Sequence, residues 1–138
     1  MDKRWLLTLL MGMAMAHGCG DDDDEGPDEG TCPTLETDGD PIEDPGAWSE
    51  ATGEAMCTGV EACIACGAWE PDFVPTASVC TGEPYYYDEN LPEDCAFNAQ
   101  AAGDCVAGLA SNPCSSVGGP VPLAVLDICS RVCDPTYP

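Results

Sequence analysis

The sequence predicts a small, mostly α-helical, disulfide-rich domain of about three helices, set behind a leader and a disordered acidic tether. Three observations carry that expectation. The chain holds 11 cysteines in 138 residues, a density typical of short exported domains stapled by disulfides. Between residues 47 and 138, cysteines and small apolar residues recur at helical spacing, punctuated by Asn, Pro and Gly. Charge is one-sided, with 26 Asp and Glu against 3 Lys and Arg for a net charge of −23. Two of those cations, Lys3 and Arg4, stand at the very start, and after the leader only Arg131 remains. Such a chain repels nucleic acid and anionic lipid surfaces, because both need Lys or Arg to neutralise phosphate.

The leader occupies residues 1–18. Met1 to Arg4 is a basic n-region, and Trp5 to Ala16 (WLLTLLMGMAMA) is an apolar run interrupted only by Thr8. That run is too short to span a bilayer, which takes about 20 helical residues, and it has the length of a secretory h-region. Two cleavage points present themselves. Ala14-Met15-Ala16 is an A-x-A site that would release a secreted chain beginning at His17. Ala16-His17-Gly18-Cys19 resembles the lipobox of bacterial lipoproteins, with a small residue at −1 and the cysteine at +1; it has Ala rather than Leu at −3 and His at −2. The resemblance implies cleavage before Cys19, a thioether-linked diacylglycerol on its sulfur and an acylated amine. Cysteine parity favours the second site. With Cys19 lipidated, ten cysteines remain to pair: Cys32, Cys57, Cys63, Cys66, Cys80, Cys95, Cys105, Cys114, Cys129 and Cys133. An odd cysteine in an exported chain otherwise goes unexplained. Several acyl chains also hold firmly where one binds marginally.

Residues 19–46 follow as the tether. Residues 20–31 (GDDDDEGPDEGT) carry seven carboxylates and no cation, so the segment cannot bury enough apolar surface to offset its ordering entropy. Residues 33–47 (PTLETDGDPIEDPGA) add three prolines and little to pack. Fully extended, residues 20–46 reach at most about 90 Å from the membrane. Asp38 to Asp44 resembles a calcium loop slightly, but Gly at loop position 6 and Glu at position 12 are both missing. A solvated spacer is the expected role.

The folded part is expected over 47–138, with Cys32 able to staple the tether's end onto it. About ninety residues bury only a thin core, which five disulfides worth about 2–4 kcal/mol each would reinforce. Their connectivity is not readable from spacing. Ser49 reads as an N-cap with Trp48 before it, and Met56, Val60, Cys63 and Cys66 follow at helical spacing. Asn90 reads as the second cap, with Pro92 and Glu93 completing a capping-box pattern; Cys95, Ala102, Cys105 and Leu109 share a face, and Asn112-Pro113 stops the helix. The third helix is expected to start at Pro120 or Pro122, to bury Leu123, Leu126, Cys129 and Cys133, and to stop at Asp134-Pro135. Residues 81–89 (TGEPYYYDE) form the one strand-like run.

Chemistry is largely excluded by composition. The single histidine, His17, lies in the leader, so Ser49, Ser115 and Ser116 have no imidazole to activate them. The mature chain also lacks lysine and its Schiff-base amine. Carboxylate pairs such as Asp88-Glu89 and Glu93-Asp94 read as a solvated face. No enzyme and no cofactor are expected. Cys63-Ile-Ala-Cys66 is a Cys-x-x-Cys, but no βαβ pattern surrounds it to make a thioredoxin-like pair. Gly67 stands where a c-type haem site needs histidine. Cys63 and Cys66 with Cys129 and Cys133 have the spacing of a four-thiolate zinc site, against which the oxidising compartment favours disulfides. An exported redox or metal-handling protein using Cys63 and Cys66 is thus the alternative reading, and no metal site is expected in the favoured one.

Binding is the remaining function class. Tyr85, Tyr86 and Tyr87, with Trp48, Trp69 and Phe73, concentrate the aromatics between residues 48 and 87. In an extended run, Tyr85 and Tyr87 share one face and Tyr86 takes the other. Rings with polar tips are common contact residues, so the three tyrosines form the candidate interaction patch. The plainer expectation is that two of the rings complete the core and one lies on the surface.

The acidic run directly after Cys19, followed by a helical cysteine-rich domain, resembles the short cysteine-rich lipoproteins of the myxobacterial type. Cys95-AFNAQAAGD-Cys105-VAGLASNP-Cys114 and the Ala/Leu stretch ending near Cys129 to Cys133 are similar to their helical C-terminal portion. The resemblance implies envelope anchoring through lipid at Cys19, with no activity attached. Gly20 at +2, rather than Asp, points to the outer membrane. The expected partners are the membrane, through that lipid, and an unidentified protein or glycan.

Overall fold

The computed structural model describes residues 30–72, 80–114 and 121–138. Residues 1–18, expected to be a leader, Cys19, the acidic run to residue 29, Phe73, Ser115, Ser116 and Pro120 lie outside them. Three α-helices build the fold: α1 (Pro45–Ala65), α2 (Ala99–Ala110) and α3 (Leu123–Ser130). No strand occurs among the described residues. The expected small, mostly α-helical, disulfide-stapled fold is what forms, and its helices begin in places that local capping explains.

α1 starts four residues before Ser49. The Asp44 carboxylate accepts from the Ala47 N–H at 2.8 Å, and Pro45 takes the first helical position, where its missing N–H costs nothing. Ser49 is therefore inside the helix and buried. α2 starts not at Asn90 but at Asn98, whose Oδ1 accepts from the Ala101 N–H at 2.9 Å. Asn90 instead ends a short 3-10 helix, Asp88–Asn90. Asn98 also closes the C-terminal end of the fold, since its N–H donates to the Val132 carbonyl and its Nδ2 to that of Asp134. α3 does follow Pro122, but it stops at Ser130, short of Asp134-Pro135. Its buried stripe is Val125 and Cys129, continued by Val132, while Leu123 is 76% exposed and Leu126 is only partly covered.

The core lies where α2 packs between α1 and α3. Trp48, Met56, Val60 and Cys63 of α1 meet Ala101, Ala102, Cys105 and Leu109 of α2, with Val125 and Cys129 of α3 closing the far side. Many of these side chains are small, so the helices approach closely and the disulfides replace missing apolar volume. All ten cysteines among the described residues are paired, as Cys32–Cys66, Cys57–Cys80, Cys63–Cys114, Cys95–Cys133 and Cys105–Cys129.

Residues 31–44, expected to belong to the tether, instead lie along the helices in extended form. Leu35 and Ile42 pack against the core. Ser111 Oγ accepts from the Glu36 N–H and bonds its carbonyl in return. The Gly39 N–H donates to Asp104 Oδ1, Gln100 Nε2 donates to the Gly39 carbonyl, and the Ile42 N–H reaches the Ala99 carbonyl. The approach is close enough that a Cβ on Gly39 would collide with the Gly103 carbonyl, and one on Gly103 with that of Asp40. Prolines and carboxylates scattered along residues 33–47 read as spacer, yet a single extended strap needs only a few apolar anchors and backbone partners to dock. The folded unit thus begins near Cys32 rather than at residue 47, and Cys32–Cys66 pins its first residue.

Candidate interaction site

Tyr85 to Tyr87 run across α1 in an arrangement set by two buried hydroxyls. Thr52 Oγ1 accepts from the Tyr85 N–H at 3.1 Å and the Tyr86 N–H at 2.9 Å, and donates to the Ser49 carbonyl at 2.7 Å. Ser49 Oγ donates to the Tyr86 carbonyl at 2.9 Å. The N–H groups of Tyr85 and Tyr86 and the Tyr86 carbonyl, which make no sheet ladder, are satisfied in this way from beneath. Gly53 completes the seat, since a Cβ there would strike the Glu83 carbonyl. Neither role was legible in advance. Ser49 reads as a cap, and the signal available in hindsight is Ser49-x-x-Thr52, two hydroxyls one turn apart on a helix face otherwise apolar.

The rings follow the alternation of extended backbone even though no strand forms. Tyr86 turns inward and stacks on Trp48, with centroids 5.6 Å apart and planes at 23°. Tyr85 meets Tyr86 edge-on at 4.9 Å and 87°. Phe97 supports Trp48 from another side at 6.0 Å. Tyr85 and Tyr87 are each 40% exposed. One ring therefore joins the core and two face outward, the reverse of the plainer expectation. Burial, and then the neighbouring Tyr85 phenol, push the Tyr86 pKa up to about 12.

These rings and Trp48 line one side of a cleft of about 310 Å³, whose other wall comes from Ser130, Val132 and the Cys133 end of the Cys95–Cys133 disulfide. Trp48 is 2% exposed, and its Nε1 finds no acceptor among the described residues. A second hollow, of about 490 Å³, runs along α1 past Glu50, Glu54 and Glu61 to the Cys57–Cys80 disulfide and Gly82. Arg131, the one cation among the described residues, follows Ser130 at the cleft's rim and lies 3.4 Å from Asp127.

The cysteines singled out for chemistry are dispersed. Cys63 bonds Cys114 and Cys66 bonds Cys32, so the Cys-x-x-Cys is not a closed pair. Cys129 and Cys133 are taken by Cys105 and Cys95, which puts the four residues of the zinc spacing into four different disulfides. The sulfurs of Cys32, Cys66 and Cys114 do lie within 4.8 Å of one another, but disulfide sulfurs are not the thiolates a metal takes. Among the described residues no helix is long and apolar enough to cross a membrane. Comparisons with protein families, with curated proteins and with solved structures return no match for this chain.

Proposed function

We propose that the protein is a lipid-anchored, non-enzymatic module of the cell envelope that presents a rigid contact surface to a protein or glycan. The observation that carries the contact role is the seating of Tyr85 to Tyr87. Ser49 and Thr52 hold the backbone, so the two exposed phenols are presented with little conformational entropy left to lose on binding. The anchor rests on the leader, on the resemblance of Ala16 to Cys19 to a lipobox, and on the parity that leaves ten cysteines to pair. Gly20 supports the outer membrane as destination. The absence of histidine and lysine after the leader supports a non-catalytic role.

Intact mass spectrometry of the protein from a native-host membrane fraction, with alkylation before and after reduction, tests the anchor. The expected mass begins at Cys19 and includes lipid, with no thiol alkylated until reduction. A mass beginning at His17 overturns the anchor in favour of secretion. The contact role is tested by in-cell crosslinking with Tyr85→Ala/Tyr87→Ala. Loss of crosslinked partners is expected, and an unchanged crosslinking pattern overturns it.

A further inference from the structure

We infer that the tyrosine cleft takes a basic protein segment, with an Arg or Lys side chain set against Tyr85 and Tyr87 and further basic residues along the acidic hollow of α1. The inference rests on the contact role proposed above and names the chemistry of the partner. Three features support it.

The first is the kind of surface the cleft offers. Tyr85 and Tyr86 stand nearly perpendicular, 87° apart with centroids at 4.9 Å, and Tyr85 and Tyr87 are each 40% exposed. The electron-rich faces of phenol rings attract cations within about 6 Å of the centroid, and a guanidinium also stacks flat on them.

The second is adjacency. Gly82 belongs to the acidic hollow and Tyr85 to the aromatic cleft. Three residues of chain span at most about 10 Å, so an extended peptide of a few residues reaches both. Glu50, Glu54 and Glu61 line the hollow without a cation, and Asp88 and Glu89 follow Tyr87 directly.

The third is complementarity over the whole chain. At a net charge of −23 the protein steers basic partners toward itself and repels acidic ones. Arg131 is the one opposing charge near the cleft, and Asp127 offsets it at 3.4 Å. A neutral glycan would use the rings but gain nothing from the hollow beside them, so the basic segment is the better fit.

The test is titration of the intact, oxidised protein with hexa-arginine, followed by calorimetry and by ring-proton shifts of Tyr85 and Tyr87, with hexa-citrulline as the uncharged isostere. Hexa-arginine is expected to bind at least ten times more tightly than hexa-citrulline and to move both ring signals. Tyr85→Leu/Tyr87→Leu keeps apolar bulk at exposed positions and should weaken binding about five-fold. Glu54→Gln/Glu61→Gln should weaken it as well and flatten its salt dependence. Equal binding of both peptides overturns the inference, as does unchanged hexa-arginine affinity in the Tyr85→Leu/Tyr87→Leu variant, which would leave only diffuse attraction to an acidic chain. The underlying contact role fails separately. Tyrosine-dependent hexa-arginine binding together with an unchanged crosslinking pattern in Tyr85→Ala/Tyr87→Ala upholds the basic-segment site and removes the envelope contact. Loss of crosslinks with unchanged hexa-arginine affinity does the opposite.

Discussion

Cys66 Sγ lies 3.9 Å from Cys114 Sγ, although the two belong to different disulfides. Cys32–Cys66 and Cys63–Cys114 are therefore in contact through one sulfur of each. The contact joins the strap of residues 31–44 to the buried end of α1, where Cys63 is fully covered. It also makes partner choice here depend on Cys32 occupying Cys66.

Replacing Cys32 with Ser should expose that dependence. The freed Cys66 thiolate then sits beside the Cys63–Cys114 bond and attacks Cys114 Sγ; a Cys66–Cys114 bond forms, the Cys63–Cys114 bond breaks, and Cys63 leaves as the thiolate. Alkylation and peptide mapping of Cys32→Ser are expected to find label on both Cys66 and Cys63. Label on Cys66 alone would mean that the two bridges do not exchange.

Thr52→Val keeps the shape of a side chain that serves two backbone donors at once, those of Tyr85 and Tyr86. Stranding them should cost about 1–3 kcal/mol. For a domain of this size each kilocalorie lowers Tm by about 4–8 °C. Thermal unfolding should show at least that shift, and amide exchange at Tyr85 and Tyr86 should accelerate while that of the α2 core holds.

Gly103→Ala places a methyl against the Asp40 carbonyl, where backbone rather than a flexible side chain must yield. The strap should lift from α2, at a cost of about 1–3 kcal/mol. In the oxidised wild-type protein an Asp-directed protease is expected to spare Asp38 and Asp40. In the variant it should cut there, and the Gly39 and Ile42 amides should exchange faster. Continued protection would place the strap's stability in Cys32–Cys66 alone.

High pH should act through Tyr86. Its pKa is raised to about 12 by burial first and by Tyr85 second, against 10 for an unfolded tyrosine. The unfolded chain releases that proton first, so the contribution of Tyr86 is fully present below pH 10 and is lost as pH rises from 10 to about 12. Absorbance titration should show the Tyr86 step near 12, with Tyr137 also raised by burial and by its bond to Asp104. Tyr86→Phe should remove that step and lessen the stability loss in the same window.

Much of the fold was readable before any tertiary contact. Helical recurrence of Val60, Cys63, Ala102, Cys105 and Leu109 located α1 and α2, and of the two prolines offered as the start of α3, Pro120 and Pro122, it is Pro122 that precedes the helix. The errors sit at helix starts and on the strap. Asp44-Pro45 is a cap followed by a first-turn proline, a local signal that an acidic, proline-bearing neighbourhood disguised as spacer. Asn90 and Asn98 are both competent caps, and Asn98 prevails because its side chain also ties down the C-terminal turn. The three tyrosines were visible as a patch. Their seat on Ser49 and Thr52 was not, because a hydroxyl on a helix announces no partner 34 residues away.

Composition and spacing determined the class of molecule: an acidic, cysteine-dense helical domain with no histidine or lysine after residue 17. Residue types settle that much, since charge, disulfide capacity and helical period are properties of the chain itself. Which cysteine meets which, which tyrosine turns inward, and that residues 31–44 dock at all were decided only in three dimensions. Spacing permits many pairings of ten sulfurs. The close approach of Gly39 to Gly103, the hydroxyls beneath Tyr85 and Tyr86, and the stacking of Tyr86 on Trp48 select among them by contacts between residues far apart in sequence.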